Sequence, residues 1–311
     1  MENRVSGIHH ITAIAGNARR NHAFYTNVLG LRFIKKTVNF DDPHTYHFYF
    51  GDEAGTPGTI LTFFPWEGIN KGRQGTGMAT EIAYSVPPDS LGFWMERLKE
   101  FSVKVSASGT RFGEHYLGFE DPDGLPLTLI VPTTGDNRRP WETEGVGAQV
   151  ATRGFHSITL TLKSVARTAM VLTDILDYKL AGQEGNRYRY VTDAVTNAAI
   201  VDLIEAPAVE SSYNASGTIH HVAFRVRDEK VLMEFREKVV DHGLPITDKI
   251  DRNYFFSLYF REPGGVLFEL ATDNPGFTVD EPLVELGSHL KLPPQHERNR
   301  AAIEKVLPDL G

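Results

Sequence analysis

Apolar and polar residues alternate in four separate stretches of the chain, and each stretch runs into a segment where apolar residues recur every three or four positions. The alternating stretches are Gly7–Ala15, Ala79–Val86, Gly154–Leu162 and Thr218–Val226, rich in β-branched and aromatic residues. That pattern predicts half-buried strands. The helical spacing that follows puts Phe24, Tyr25, Val28 and Leu29 on the buried face of the first repeat, and Leu91, Trp94 and Leu98 on that of the second. Leu172, Ile175 and Leu176 serve the third, and Leu232, Phe235 and Val239 the fourth. Asn17, Asp89 or Ser90, Ser164 and Asp228 stand where N-caps are needed, and Gly30 and Gly243 where a left-handed C-cap ends a helix.

Further strands follow each helix, separated by turn residues. They are Leu31–Val38, Tyr46–Phe50 and Thr59–Phe64; Tyr116–Phe119 and Leu127–Val131; Tyr188–Val191 and Ala199–Ile204; and Phe255–Phe260 and Val266–Leu270. GTPG at 55–58, DPDG at 121–124 and EPGG at 262–265 supply turns. The unit is βαβββ, present four times, so the predicted class is α+β: four modules forming two domains of curved mixed sheets with external helices. Residues 1–135 hold modules one and two, 136–147 read as a linker, 148–273 hold modules three and four, and 274–311 form a C-terminal extension with a helix over 295–306. Two such sheets are expected to face each other and leave a concave pocket between them.

Composition narrows the chemistry. At 311 residues, 41% hydrophobic and 23% charged, the chain is long enough for one large or two ordinary domains with full apolar cores. Net charge is −8, from 32 basic and 40 acidic residues without a basic cluster, which argues against nucleic acid as a partner. Cysteine is absent, so any metal site must use nitrogen and oxygen ligands. The first residues, MENRVSGIHHITAIAG, lack the apolar core of a signal peptide, and no stretch reaches membrane-spanning length. The expectation is a cytoplasmic protein that handles small molecules and has no membrane partner.

Aligning the opening strands puts His9, His156 and His220 at one position and His10, Ser157 and His221 at the next, while the second repeat offers Glu81 and Ile82 there. Neighbours on a strand point to opposite faces, so strict alternation turns one member of each His-His pair towards a site. The flanking Ile8, Ile11, Ile219 and Val222 do not say which. Glu269, inside the apolar run VLFELA, is a charge that needs compensation, and a metal provides it. Asp202 in IVDLI is its counterpart in the third repeat, but it meets only His156 and Ser157, so a turn or helix hydrogen bond is expected there instead. His22, His44, His47, His115 and His242 lack an acidic partner pattern and are expected to be ordinary structural or surface residues. Two histidines and one carboxylate with open positions left over suit an oxygen-activating iron(II).

Several stretches carry a more specific resemblance: IHHIT at 8–12, YHFYFGDEAGTPG at 46–58, GTRFG at 109–113, RGFH at 153–156, EGNRYR at 184–189, IHHV at 219–222 and YFREPGGVLFE at 259–269. From Gly7 to about Asp273 the sequence resembles the vicinal oxygen chelate superfamily, whose members are built from βαβββ modules, and within it the ring-cleaving dioxygenases of the hydroquinone 1,2-dioxygenase type. The resemblance implies that the second histidine of each pair, His10 and His221, binds the metal with Glu269. The implied ion is iron(II), with manganese(II) as the other candidate. It further implies that His9, Thr12, His220, Arg252 and Tyr259 surround the ion as catalytic residues, that the substrate is a small hydroquinone- or catechol-type aromatic, and that O2 is consumed as its ring is opened beside a hydroxyl-bearing carbon. In that scheme Tyr259 and His9 are the candidates for moving protons, and Arg252 holds a second substrate oxygen or developing negative charge. A surface salt bridge for Arg252 and a core position for Tyr259 are the plain alternatives. The same scaffold supports metal-dependent glyoxalase-type isomerases or transferases, which commonly carry a second carboxylate ligand, and non-catalytic quinone- or drug-binding modules, which typically lose the metal residues. Assembly as a homo-oligomer is left open, as is the extension's role as a lid, a dimer contact or a surface appendage.

Overall fold

The computed structural model describes residues 3–311. The first module supplies β1 (Ile8–Ala15), α1 (Ala18–Ala23), β2 (Arg32–Val38), β3 (Tyr46–Gly51) and β4 (Ile60–Pro65). The second supplies β5 (Met78–Ser85), α2 (Leu91–Glu100), β6 (Val105–Arg111), β7 (Glu114–Glu120) and β8 (Pro126–Ile130). The third has β9 (Phe155–Leu162), α3 (Ala166–Met170), β10 (Lys179–Glu184), β11 (Arg187–Val191) and β12 (Ile200–Glu205). The fourth has β13 (Thr218–Val226), α4 (Glu229–Asp241), β14 (Ile250–Asp251), β15 (Phe255–Arg261) and β16 (Leu267–Pro275), and α5 (Arg300–Val306) lies near the C-terminus. No helix among the described residues is long and apolar enough to cross a membrane.

Local chemistry explains the element ends. Asn17 and Asp228 cap as expected, their side chains accepting from the backbone N–H of Arg20 and Val231. Ser90 instead donates its hydroxyl to the Pro87 carbonyl at 2.7 Å, and α3 starts beyond Ser164 behind Val165, without a side-chain cap. Both α1 and α3 run directly into π turns, Phe24–Val28 and Val171–Ile175, and these carry the apolar residues that pack on the sheets. The strands β6, β10 and β14 have no counterpart in the hydrophobic pattern. β6 and β10 are polar, largely exposed edge strands, so neither face needs apolar alternation.

The sheets join modules across the sequence. One has the order β14-β15-β16-β13-β1-β4-β3-β2 and the other β10-β11-β12-β9-β5-β8-β7-β6. Module one thus pairs with module four through antiparallel β1 and β13, and module two with module three through β5 and β9. Residues 1–135 and 148–273 each give one module to each sheet. The expected pocket between two facing sheets is therefore replaced by a hollow inside one continuous, curved sheet, because edge-to-edge hydrogen bonding of β1 with β13 fuses the two modules.

Residues 274–311 form a strap along that sheet. Phe277 stacks on Tyr254, with ring centroids 5.0 Å apart, and contacts Tyr49 at 5.2 Å. Leu290 bridges Lys36, Leu292 and Ile303 bury Val38, and His296 Nε2 donates to the Phe40 carbonyl at 3.1 Å. Lys35 is 0% exposed, and its Nζ reaches Glu281 at 2.6 Å and Asp280 at 2.7 Å. Removing this cation strands Glu281, itself 1% exposed, without its charge partner. Lys35→Ala is expected to cost about 3–5 kcal/mol of unfolding free energy in urea titration; a loss below about 1 kcal/mol would show that the strap is not fastened there.

Candidate metal centre

The opening strands are not regular where the histidines lie. In the β1–β13 ladder Ile8 pairs with Phe224 and His10 with Ala223, so His9 is an extra residue; Thr12 pairs with His221 and Ala13 with Ile219, so His220 is another. Each is a β-bulge, and a bulge lets two successive side chains leave the same face. Ile8 and Ile11 accordingly both enter the apolar core, as do Ile219 and Val222, while the two histidines between each pair turn to the concave side. The alternation argument, which admitted one histidine of each pair, fails at this point for that reason.

The bulged histidines hold the others. His9 Nε2 lies 3.1 Å from the Thr272 carbonyl, which can only accept, so that nitrogen carries the proton and Nδ1 is the acceptor. His10 Nδ1, 2.9 Å from His9 Nδ1, must then be the donor, leaving His10 Nε2 as a bare lone pair. His220 Nδ1 meets His221 Nδ1 at 2.7 Å, a link that ties the second pair together as the first is tied. Burial holds His9 and His221 below the ordinary imidazole range and His220 down at about 3, so these rings are neutral near neutral pH.

Glu269 stands opposite Ala223 on β16, at 0% exposure. Its Oε2 is 3.2 Å from His10 Nε2 and 2.9 Å from His221 Nε2, yet neither carboxylate oxygen nor His221 Nε2 has a hydrogen-bond partner. His10 Nε2 and Glu269 Oε2 are thus two acceptors brought together with no proton to share, an arrangement that is repulsive and costly in a buried site. A cation removes the conflict. Two ligands at right angles around an ion with bonds of about 2.1 Å stand about 3 Å apart, which matches both separations. His10, His221 and Glu269 are the one such group among the described residues, and the trio fits a metal site.

The site opens into a cavity of about 270 Å³. Phe40, Phe64, Trp66 and Phe255 give it aromatic walls, and Arg252 and Tyr259 stand beside the trio. Tyr259 pairs across the ladder with Glu269, and its ring centroid lies 5.6 Å from that of His221. Arg252 Nε donates to the Tyr259 hydroxyl at 3.3 Å, and its nearest acid, the exposed Asp41, is 3.9 Å away. Arg252 thus keeps the ion pair to an exposed acid that the sequence allowed, while the Tyr259 hydroxyl meets the side chains of Arg252 and Ser257 rather than backbone. Burial beside Glu269 raises Tyr259 well above the usual phenol range, so its hydroxyl stays protonated. Thr12 lines the cavity and shares a hydrogen bond with Thr62 at 2.8 Å. His47 and Tyr49 line it too, although His47 was expected to be an ordinary structural residue. A wider groove of about 680 Å³ near Arg20 and Phe101 lies away from these residues.

The second sheet repeats the register with different residues. Asp202 stands opposite Thr159 as Glu269 does opposite Ala223, and Glu81 opposite Thr159 as His10 does opposite Ala223. Asp202 takes Arg189 Nε at 2.9 Å and Arg187 Nη1 at 3.1 Å, which replaces the turn or helix contact expected of it. Arg189 also reaches Glu114 at 2.6 Å, His156 Nε2 meets Glu114 at 3.0 Å, and Arg111 pairs with Glu81 at 2.6 Å. Phe112 closes over Arg189, 4.1 Å from its ring centroid.

The chain belongs to the Glyoxalase/Bleomycin resistance protein/Dioxygenase superfamily, whose profile matches residues 7–129 and 154–270. Full-length relatives mark it as an enzyme. It is 43% identical over 307 residues to the "Putative ring-cleaving dioxygenase MhqO" of Bacillus subtilis, covering 99% of this chain and 97% of that protein. It is 37% identical over 316 residues to the chlorohydroquinone/hydroquinone 1,2-dioxygenase of Sphingobium indicum, covering 98% and 97%. The crystal structure of a "putative dioxygenase" from Bacillus subtilis superposes with a TM-score of 0.95 at 41% identity, covering 99% of this chain and 98% of that one.

Two outcomes test the site and its counterpart. A divalent metal at a hundredfold excess over its Kd is expected to add about 2.7 kcal/mol to wild-type stability. His221→Ala should lose both that increment and the bound metal, by elemental analysis, while keeping its circular dichroism; metal retained by the variant would mean that the ion is held elsewhere. In the second sheet, burial raises the Glu114 carboxyl, but His156 and Arg189 outweigh it and bring it from the usual 4.5 to about 2. A depressed carboxyl contributes stability above its unfolded value and loses it as pH falls through its folded one. Wild-type stability should therefore fall between about pH 4.5 and 2, with a shallower fall in Glu114→Gln.

Proposed function

We propose that the protein is an iron(II)-dependent ring-cleaving dioxygenase that opens hydroquinone- or catechol-type rings beside a hydroxyl-bearing carbon. The observation that carries this reading is the buried trio of nitrogen and oxygen donors beside an aromatic-walled cavity, in a chain similar over its full length to a hydroquinone 1,2-dioxygenase. His10, His221 and Glu269 would hold the ion and leave positions free for substrate and O2. When bound, iron(II) supplies a Lewis acid for a phenolate oxygen and a redox centre for activating O2.

The chain's own residues prepare the rest. His9 and His220 hold the rings of the two histidine ligands through Nδ1, so that Nε2 of each would be the atom offered to the ion. Phe40, Phe64, Trp66 and Phe255 bury the faces of a single ring and exclude water. Arg252 brings a permanent positive charge to a site that otherwise carries a carboxylate, and stabilises negative charge developing on substrate oxygen. Tyr259, kept protonated and backed by Arg252, is the group able to donate a proton, and His9, neutral with Thr272 behind it, orients rather than ionises.

Protein loaded anaerobically with iron(II) is expected to consume one O2 per ring of hydroquinone, substituted hydroquinone or catechol, followed with an oxygen electrode. Absence of uptake with all of them, together with isomerisation of a thiohemiacetal by the nickel- or zinc-loaded protein, would replace this reading by a glyoxalase-type one. Tyr259→Phe should lower kcat by about a hundredfold without altering metal content; an unchanged kcat would remove Tyr259 from proton transfer.

A further inference from the structure

One wall of the cavity holds a polar device that the metal chemistry does not use. His47, on β3, is 8% exposed and stands between the rings of Tyr49 and Phe64, at centroid distances of 4.2 and 4.4 Å. Its Nδ1 is 3.0 Å from the Tyr49 hydroxyl and its Nε2 is 3.0 Å from Thr62 Oγ1, which in turn lies 2.8 Å from Thr12 Oγ1. Tyr49–His47–Thr62–Thr12 is thus a continuous hydrogen-bonded chain that meets the cavity at both ends, through Tyr49 and Thr12. It spans from β1 across β4 to β3, two strands along the sheet from His10.

Every link can run in two directions. A hydroxyl donates once and still accepts, and a neutral imidazole carries its proton on either nitrogen. Burial keeps His47 neutral and keeps Tyr49 a protonated phenol, so neither end is fixed by charge. If Thr12 donates to Thr62 and Thr62 to His47 Nε2, then His47 Nδ1–H donates to Tyr49, and the Tyr49 O–H is free to donate into the cavity. In the opposite sense Tyr49 donates to Nδ1, Nε2–H donates to Thr62, and the Tyr49 oxygen is free to accept. Around Tyr49 the rings of Tyr254 and Phe277, at 6.0 and 5.2 Å, hold its own ring in place.

We propose that Tyr49, with His47 behind it, recognises a second oxygen on the substrate ring, and that reversal of the chain lets this one position pair with either a hydroxyl or an oxo oxygen. The proposal rests on reading the cavity as a phenol site. A ring diol bound by one oxygen at the trio presents its other oxygen as a donor, whereas a ring that already carries an oxo group at that position presents an acceptor C=O. A partner of fixed polarity would leave one of the two forms with an unpaired buried polar atom, which is costly; the reversible chain serves both. His47 acts here through Tyr49 and is a positioning residue.

Calorimetry on iron(II)-loaded protein under argon compares hydroquinone with 4-methylphenol, which replaces the second hydroxyl by a methyl group of similar size. Tyr49→Phe is expected to shift the ratio of the two affinities by about tenfold, through hydroquinone alone, with 4-methylphenol binding unchanged within about twofold. Thr62→Val, which removes the partner of His47 Nε2, should shift the ratio in the same sense by a smaller factor. Equal loss of both ligands in Tyr49→Phe would assign Tyr49 to packing and overturn the proposal, as would an unchanged ratio. If the wild-type protein binds neither phenol, the phenol reading of the cavity fails first and takes this inference with it.

Discussion

Everything at the concave face follows from a conflict between acceptors. A carboxylate and two imidazole nitrogens are held within 4.8 Å of one another in a buried site, and neither His221 Nε2 nor either carboxylate oxygen has a hydrogen-bond partner. Such a cluster survives folding only if the surrounding structure over-determines it or a cation relieves it. The first condition is visible here. Two bulges force consecutive histidines to the same side, the bulged members His9 and His220 clamp the others by Nδ1, and antiparallel pairing of β1 with β13 brings both pairs to one spot. The carboxylate comes from the parallel neighbour of β13, one ladder step away.

The second sheet shows what the scaffold does when the cation is internal. The positions corresponding to His10 and Glu269 are Glu81 and Asp202, and the charges converging on them are the guanidinium groups of Arg111, Arg187 and Arg189. Arg189 occupies the register position of Tyr259. There the buried carboxylates are paired through hydrogen bonds from planar donors, and Phe112 seals the hollow. The two half-barrels thus solve one electrostatic problem in two ways. One leaves lone pairs facing a cavity; the other fills the space with its own positive charge. The first keeps a cavity of about 270 Å³ beside its ligands, against about 50 Å³ beside Glu114 and His156 in the second.

How legible this was in the sequence depended on which physical rule governed each residue. The four opening strands and the burial of Glu269 followed from hydrophobic patterning, because packing on a sheet enforces it. The choice within each histidine pair did not follow, because strict alternation was applied across a bulge. The signal was nevertheless present: Ile8 and Ile11, Ile219 and Val222, and Phe155 and Ile158 are apolar residues three apart in strands whose period is two, and a one-residue bulge reconciles that spacing with a single core face. β6 and β10 were missed because polar edge strands carry no alternation. His47 was passed over because its partners, Tyr49 and Thr62, have no acidic or metal signature, and side-chain chains between strands depend on register that hydrophobicity alone does not fix.

The C-terminal strap connects the fold's stability to the cavity. Its Phe277 packs against both Tyr49 and Tyr254, and Tyr254 is two residues from Arg252 at the start of β15. Asp280 accepts from the Tyr254 hydroxyl at 3.0 Å and also pairs with Lys35 on β2. The strap therefore ties β2, at one edge of the eight-stranded sheet, to the β15 side near the other. His296 holds the loop that carries Phe40, whose ring lies 5.5 Å from the Arg252 guanidinium. A curved sheet with free edges can flex, and cavity walls on opposite edges would move with it; ties across the edges resist that motion. The two walls in question bear Arg252 on one side and Tyr49 with His47 on the other, which are the polar groups any ring in this cavity must meet. The positions of those groups relative to His10, His221 and Glu269 are therefore set as much by residues 274–311 as by the modules that carry them.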